Sequence, residues 1–262
     1  MRQFKAFIGV ILMCLIGLSM KQSEHYPFIM WANRDEFYAR PSKELHYRDG
    51  HPRFIGGKDL KKGGSWFGFD PDTGDVAVVT NIRKGLSENK DARSRGELID
   101  RFFMEGTGQM HVKDKHEYNG FNLIFGNVYD GLYYLSSNQD HAISLQDGIH
   151  GLSNGSMNES WPKTDRIKND LRKASDIDSE NDMIRAGLSA LQNTEEALEQ
   201  DLPQTGISLE LEKKLSPVRI KMEEYGTVCS TILLIDKFDR VTLLEHRYTD
   251  GKLISYHWPV RP

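Results

Sequence analysis

Hydrophobic residues near the start of the chain fall into two short runs that a polar segment separates. The first run extends from Cys14 to Met20 and the second from Phe28 to Ala32, whereas Lys21 to His25 is polar. Two apolar runs around a short polar link are typical of a β-hairpin. With the loop centred near residue 24, opposed residues should have numbers that sum to about 48, so Cys14 should face Arg34, roughly 5 Å away.

The rest of the chain alternates between patterns typical of strands and of helices. Ser65 to Phe69 and Val76 to Asn81 predict a second hairpin, because the latter run is rich in β-branched residues. A helix should begin at Ser94, with Ser94 as its N-cap and Glu97 as the capping-box partner. The other predicted strands are Arg53 to Gly57, Tyr118 to Gly126, Leu132 to Leu135, Gly148 to Asn154, Gly226 to Ile235, Arg240 to Arg247 and Tyr256 to Trp258. The other predicted helices are Pro162 to Lys173, Asp182 to Gln192 and Thr194 to Glu199.

This order of elements indicates an α+β protein. Many strands follow one another through short turns, and such connections build antiparallel sheets. We find no internal repeat and no low-complexity linker, so residues 13–262 are predicted to form a single domain behind an N-terminal extension of residues 1–12.

Composition excludes some classes of function. The net charge of −4 and the lack of a dense Lys/Arg run argue against a nucleic-acid-binding protein. Two cysteines, Cys14 and Cys229, are too few for a disulfide framework and are simplest to explain in a reducing compartment. No Cys/His spacing indicates a metal site. His150 and Cys229 are expected to be structural.

Several segments resemble a known family. Met13-Cys14 followed by Ala-Asn-Arg-Asp-Glu-Phe-Tyr-Ala-Arg-Pro at 32–41 resembles the start of the NRDE-motif family, also called the transport and Golgi organisation protein 2 family. Further matching segments lie at 94–98, 118–123, 150–154 and 161–163, and the resemblance covers about residues 13 to 248. Members resemble N-terminal-nucleophile (Ntn) hydrolases, which implies a four-layer αββα sandwich of antiparallel sheets.

The resemblance also implies a site. In Ntn amidases a Cys, an Arg/Asp pair and two Asn occupy comparable places, and the residues that match this catalytic set are Cys14, Arg34, Asp35, Asn81 and Asn154. The expected substrate-binding residues are Asn33, Glu36, Trp66 and Ser153. Structural alternatives stay open, because Arg34 could form an ion pair with Asp35 or Glu36 and the two Asn could cap turns. Near Tyr225 many relatives carry an Arg where this chain has Val228.

An N-terminal cysteine can activate itself. Its α-amino group has a pKa of about 7.7–8 and can take the thiol proton, so no histidine is required. This amine and Arg34 are expected to favour the thiolate of Cys14. The chemistry requires that the mature chain begin at Cys14, after removal of Met13.

The first twelve residues allow two interpretations. Arg2 and Lys5 precede an apolar run from Ala6 to Leu18, as in a secretory signal peptide, but a small-x-small cleavage site is missing. The run is also too short for a spanning helix, which needs about 20 residues. We favour a start at Met13, where the family resemblance begins, and a cytoplasmic protein without an integral membrane span. If the extension is a real signal, the protein is secreted or membrane-associated.

Three functions are compatible with this sequence. The first is a cysteine Ntn-type hydrolase that cleaves a linear amide or acyl bond of a small molecule and requires no cofactor. The second is a protein that binds or traffics haem or an acyl metabolite in the same pocket without turnover. Its haem ligand would be Cys14 or one of the nine histidines. The third is an interaction protein with a vestigial site. Nothing in the sequence indicates the oligomeric state.

Overall fold

Two antiparallel sheets form the centre of the molecule in a computed structural model that describes residues 13–48, 54–83, 89–106 and 113–259. The strands, in chain order, are β1 (Met13–Met20), β2 (Phe28–Phe37), β3 (Ser42–Tyr47), β4 (Ile55–Asp59), β5 (Phe67–Phe69), β6 (Asp75–Asn81), β7 (Phe121–Asn127), β8 (Gly131–Ser136), β9 (Ile143–Ser144), β10 (Gly148–Leu152), β11 (Tyr225–Ile235), β12 (Val241–Arg247) and β13 (Leu253–Trp258). The helices are α1 (Glu97–Glu105), α2 (Pro162–Lys173), α3 (Glu180–Leu191) and α4 (Leu209–Lys214).

The first sheet has the order β10-β1-β2-β11-β12-β13, and the second runs consecutively from β3 to β9. Every pair of neighbouring strands is antiparallel. The hairpin β1–β2 lies inside the first sheet, and β11 covers the other edge of β2. The hairpin that the sequence predicts is therefore a central part of the fold.

Three apolar clusters define the layers. The first lies between the sheets and joins Ile16 and Met30 of one sheet to Phe67 and Ile124 of the other. The second packs Leu15 and Trp31 of the first sheet against α2 and α3. The third packs the second sheet against α1 through Phe102 and Phe103. The resulting order of layers, helix–sheet–sheet–helix, confirms the predicted α+β four-layer sandwich.

Helix α2 lies unusually close to the first sheet, at a pair of opposed glycines. Gly17 of β1 is paired with Gly151 of β10. A Cβ atom at Gly17 would lie 2.7 Å from Cγ1 of Ile167, and one at Gly151 would lie 2.6 Å from Cγ2 of Thr164. Because real Cβ contacts are longer, both positions need glycine for this approach. The glycines thereby bring the first turn of α2 down onto the end of β1, where Cys14 lies.

Two local predictions are wrong. Helix α1 begins at Glu97 and its N-cap is Gly96 rather than Ser94, and glycine has no side chain that could cap the helix. The Glu97 carboxylate accepts a hydrogen bond from Arg93 rather than acting in a capping box. Residues 194–198 are irregular rather than helical. The Asn193 side chain accepts a hydrogen bond from the backbone N–H of Glu195, and such a local turn competes with a helix. The short helix α4 was not predicted.

Strand β3 was also not predicted. It is an edge strand in which only Leu45 is fully buried, and polar edge strands lack the clear alternation that sequence patterns detect. Arg53 of the predicted strand 53–57 lies outside the described residues, as do residues 84–88 and the extension of residues 1–12.

In the part of the chain that the structure describes, no helix combines the length and the apolar character needed to cross a bilayer.

Candidate functional site

The register of the hairpin confirms the predicted partner of Cys14. Cys14 pairs with Arg34, as the sum of about 48 requires. On the other side of β1, Ile16 pairs with Leu152, so the same register continued by two residues brings Asn154 level with Cys14. The Ser153 hydroxyl donates to the Cys14 carbonyl oxygen at 3.1 Å. The ends of β1 and β10, which are far apart in the sequence, therefore meet beside β2 at Cys14.

Strand alternation divides the Asn33–Glu36 segment between two faces of the sheet. Arg34 faces the second sheet, where its guanidinium lies 4.2 Å from the centre of the Trp66 ring. Asp35 faces the helices and accepts from the Thr227 hydroxyl at 2.6 Å. Because directly opposed residues share a face, Cys14 lies on the same side as Arg34 and Glu36.

A cleft of about 180 Å³ opens between the ends of the two sheets. Among the described side chains of β1, that of Cys14 is the one that is partly exposed, and it lines this cleft. The other expected site residues that line the cleft are Arg34, Asp35, Glu36, Trp66 and Asn81. Six of the nine residues selected from the sequence are therefore brought together around one small opening.

Arg34 is the centre of a buried group of charges. Its Nη2 atom lies 3.4 Å from Oε2 of Glu36 and 3.6 Å from Oδ2 of Asp59. Arg40 binds the same two carboxylates and donates to Asp59 at 2.7 Å. Burial raises the pKa of Glu36, and Arg34 is the main opposing influence. The arrangement fixes Arg34 in one position against Trp66, beside Cys14.

Asn154 and Ser153 do not line this cleft, although they are next to it. The Asn154 amide donates to the backbone carbonyl of Asn81 at 2.9 Å, and its Oδ1 accepts from the Ser153 hydroxyl at 3.0 Å. The Ser153 carbonyl in turn accepts from Thr80 at 2.7 Å. Asn154 is therefore placed to hold the end of β6 that carries Asn81.

Asn33 lies away from the 180 Å³ cleft, on the helix-covered face. Its amide donates to the carbonyl oxygens of Leu191 and Val218, and its Oδ1 accepts from Ser230. These bonds tie β2 to the end of α3 and to β11.

The protonation state of Cys14 differs from the expectation. Burial and the nearby Asp35 carboxylate raise the pKa of the Cys14 thiol to about 12, while the Asp35 backbone N–H and Arg34 lower it less. With Met13 attached, the thiolate is therefore a rare species at neutral pH. The expected acidifying effect of Arg34 is present but is outweighed, since Arg34 is a weaker influence on the thiol than burial and Asp35.

Lys163 is a charged residue near the site to which sequence reasoning gave no role. It lies in the first turn of α2 and is 2% exposed. Its ammonium group stabilises the ionised form of Asp35, and the Cys14 thiolate would stabilise the ammonium. Burial lowers the pKa of Lys163 to about 8 and raises that of Asp35 to about 6. The sequence did carry a signal, because Lys163, Ile167 and Leu171 recur at intervals of four on the buried face of α2.

Val228 occupies an irregular position in the sheet. Thr227 pairs with Asp35 and Cys229 with Arg34, so Val228 is the extra residue of a β-bulge. Its side chain belongs to the apolar cluster between the sheets. This chain therefore places an apolar side chain in the layer that also contains Arg34.

No group of three or more His, Cys, Asp or Glu side chains among the described residues has an arrangement that could hold a metal ion.

Cys14 should react with a maleimide at least about tenfold faster than Cys229, because Cys14 is partly exposed at a cleft whereas Cys229 is buried. Cys229 is 2% exposed and, like Cys14, has a raised pKa. Brief labelling of the native protein followed by peptide mapping measures both rates, and labelling in denaturant provides the control in which the two rates converge. Equal rates in the native protein would contradict the placement of Cys14 in an accessible cleft.

Comparisons with known proteins agree with the resemblance seen in the motifs. The family model described as Transport and Golgi organisation 2 matches residues 13–250. The chain is 31% identical over 258 residues to the Transport and Golgi organization protein 2 homolog of Homo sapiens. The aligned region covers 90% of this chain and 91% of the human protein. It is 30% identical over 247 residues to the Transport and Golgi organization 2 homolog of Mus musculus, with 86% of this chain and 88% of the mouse protein aligned.

Proposed function

This chain belongs to the Transport and Golgi organisation 2 family, and on that premise we propose that it is a cysteine hydrolase of the N-terminal-nucleophile type. In this proposal Cys14 attacks a linear amide or related acyl bond of a small molecule. The observation that carries the proposal is the position of Cys14, which is partly exposed at a cleft that Arg34, Asp35 and Asn81 also line.

The raised pKa of the Cys14 thiol determines how the nucleophile must be activated. At a pKa of about 12, a preformed thiolate is too scarce for efficient attack at neutral pH. A base must therefore take the proton during attack. If Met13 is removed, the α-amine of Cys14 becomes that base, because its usual pKa of about 7.7–8 leaves a neutral fraction at neutral pH.

The proposed reaction proceeds in two steps. In the first step the sulfur of Cys14 bonds to the acyl carbon, the thiol proton moves to the α-amine, and the C–N bond breaks as the leaving amine takes that proton. In the second step water attacks the thioester, its proton passes to the α-amine and then to the thiolate, and the carboxylic acid leaves. The protein ends each cycle with a thiol and a neutral amine.

The side chains around Cys14 have complementary roles in this proposal. Asn81 lines the cleft and can donate its amide N–H to the oxyanion that forms in the transition state. Asn154 supports it by binding the Asn81 carbonyl. Arg34, held by Glu36 and Asp59 and stacked on Trp66, presents positive charge to the same space. The cleft volume of about 180 Å³ favours a small acyl group.

A second candidate function is binding of haem or an acyl metabolite without turnover. The observation that favours binding without turnover is the raised pKa of the thiol, because a protonated Cys14 with Met13 attached would attack an acyl bond poorly. The residues that line the cleft include no histidine among those described, so a haem iron on this surface would need the Cys14 thiolate. The protonated thiol and the cleft volume of about 180 Å³ therefore fit a small acyl metabolite better than haem.

The mass of the native protein and of its acylated form tests the hydrolase proposal. We expect the native chain to begin at Cys14, and we expect a p-nitroanilide or p-nitrophenyl ester of a short acid to add one acyl group to Cys14 in a rapid burst. Cys229→Ser provides the matched control and should retain the burst. Retention of Met13 in a protein with full activity would contradict the free-amine mechanism, and a haem absorbance band without any burst would favour the binding function.

A further inference from the structure

Lys163 and Asp35 are two buried side chains of opposite charge, and each has a polar atom without a hydrogen-bond partner. Neither Nζ of Lys163 nor Oδ2 of Asp35 has a hydrogen-bond partner among the described residues, although both side chains are 2% exposed. A buried charge without hydrogen bonds is costly and is commonly found at functional sites. The two groups nevertheless interact, because each is a main electrostatic influence on the other.

The pair is built into the fold next to Cys14. Asp35 pairs across the hairpin with Met13, the residue directly before Cys14, and its backbone N–H bonds to the Cys14 side chain. Lys163 lies in the first turn of α2, the helix that Gly17 and Gly151 allow to approach β1. It interacts electrostatically with both Asp35 and Cys14, so the three side chains form one cluster at this end of β1.

The charges that face the pair are balanced. Arg83 and Glu212 form a second buried ion pair of 3.1 Å. Arg83 lowers the pKa of Lys163, while Asp35, Cys14 and Glu212 raise it. On the Asp35 side, Thr227 and Arg34 favour the carboxylate and Glu36 opposes it. Tyr38 and Tyr248 also face Asp35.

We propose that Lys163 is a positioning residue that acts through Asp35, whose carboxylate orients the reacting groups of Cys14. This inference rests on the proposed function in the sense that Cys14 is the reacting residue. Without the ammonium group, the Asp35 carboxylate would keep Thr227 and Arg34 as its stabilising partners, and burial would raise its pKa further. The free Oδ2 atom of the carboxylate is the acceptor available to the α-amine of a mature Cys14.

The alkylation rate of Cys14 as a function of pH tests the inference without requiring turnover. The rate should rise with pH and change slope where Asp35 ionises, because the Asp35 charge alters the thiol pKa. We expect this inflection near pH 6 in the native protein and at least one pH unit higher in Lys163→Met. It should be absent in Asp35→Asn. The Cys229→Ser background removes the second thiol, and thermal unfolding of each variant checks the fold.

The double variant Asp35→Asn/Lys163→Met separates action through Asp35 from a direct or merely structural role. It replaces the charged pair by two neutral side chains of similar size, and it should follow the pH profile of Asp35→Asn alone. An inflection that stays near pH 6 in Lys163→Met would overturn the inference, as would a further change in the double variant. The inflection could move in Lys163→Met while neither the native protein nor any variant forms an acyl-enzyme. In that case the inference on Lys163 holds and the hydrolase proposal fails.

Discussion

Replacing Cys14 by alanine should lower the rate of acyl transfer by a factor on the order of 10³ or more, because loss of the nucleophile in comparable enzymes costs at least this much. The fold should persist, since Cys14 lies at the end of β1 beside a cleft and fills little of the core. We expect the free energy of unfolding to change by about 1 kcal/mol or less. Burst kinetics and chemical denaturation of the same preparations measure both quantities.

Cys14→Ser provides the matched variant for this experiment. It keeps the size of the side chain and should also keep the fold, while the poorer nucleophile removes most acyl transfer. Its ligand affinity separates the two candidate functions, because a hydrolase should still bind its substrate, whereas a carrier with a Cys–haem bond should lose haem. If both variants retain every activity and affinity of the native protein, Cys14 is not the functional residue.

The hairpin could be predicted in detail because its information is local. Two apolar runs and a polar link determine the register, and the pairing of Cys14 with Arg34 depends on nothing outside residues 13–37. The parity of the strand also separates Asn33 and Asp35 from Arg34 and Glu36 once one face is known. The sequence alone does not say which face meets helices, because both faces of β2 are buried.

The contribution of Lys163 could not be predicted with the same ease. A lysine in a charged helix is normally exposed, and helix α2 is rich in charged residues. Lys163 is 2% exposed on a helix that packs closely on β1 at Gly17 and Gly151, and that packing depends on residues that are far apart in the sequence. The four-residue spacing with Ile167 and Leu171 is the local signal that points to burial.

The ion cluster around Arg34 raises the question of whether this residue serves the fold or the chemistry. Arg34 and Glu36 are both nearly completely buried, and removal of Arg34 breaks this pair and leaves the more exposed Arg40 as the cation beside the buried Glu36 carboxylate. Such losses typically cost about 3–5 kcal/mol. Arg40 binds the same carboxylates but is more exposed, so Arg40→Met should cost much less, about 1 kcal/mol.

Arg34→Met should therefore destabilise the protein by about 3–5 kcal/mol at neutral pH, and by less in acid. The folded-state pKa of Glu36 is already above its unfolded value because of burial, so ionisation of Glu36 opposes folding as the pH rises. Without Arg34 the pKa of Glu36 rises further, so the ionised carboxylate destabilises the folded state more. In acid Glu36 is protonated, and this additional loss of stability disappears. Denaturant unfolding of Arg34→Met, Arg40→Met and the native protein at about pH 5 and pH 8 measures the difference. An Arg34→Met protein of native stability at both pH values, but without acyl transfer, would assign Arg34 to the chemistry and contradict its role as the charge that stabilises this end of the hairpin.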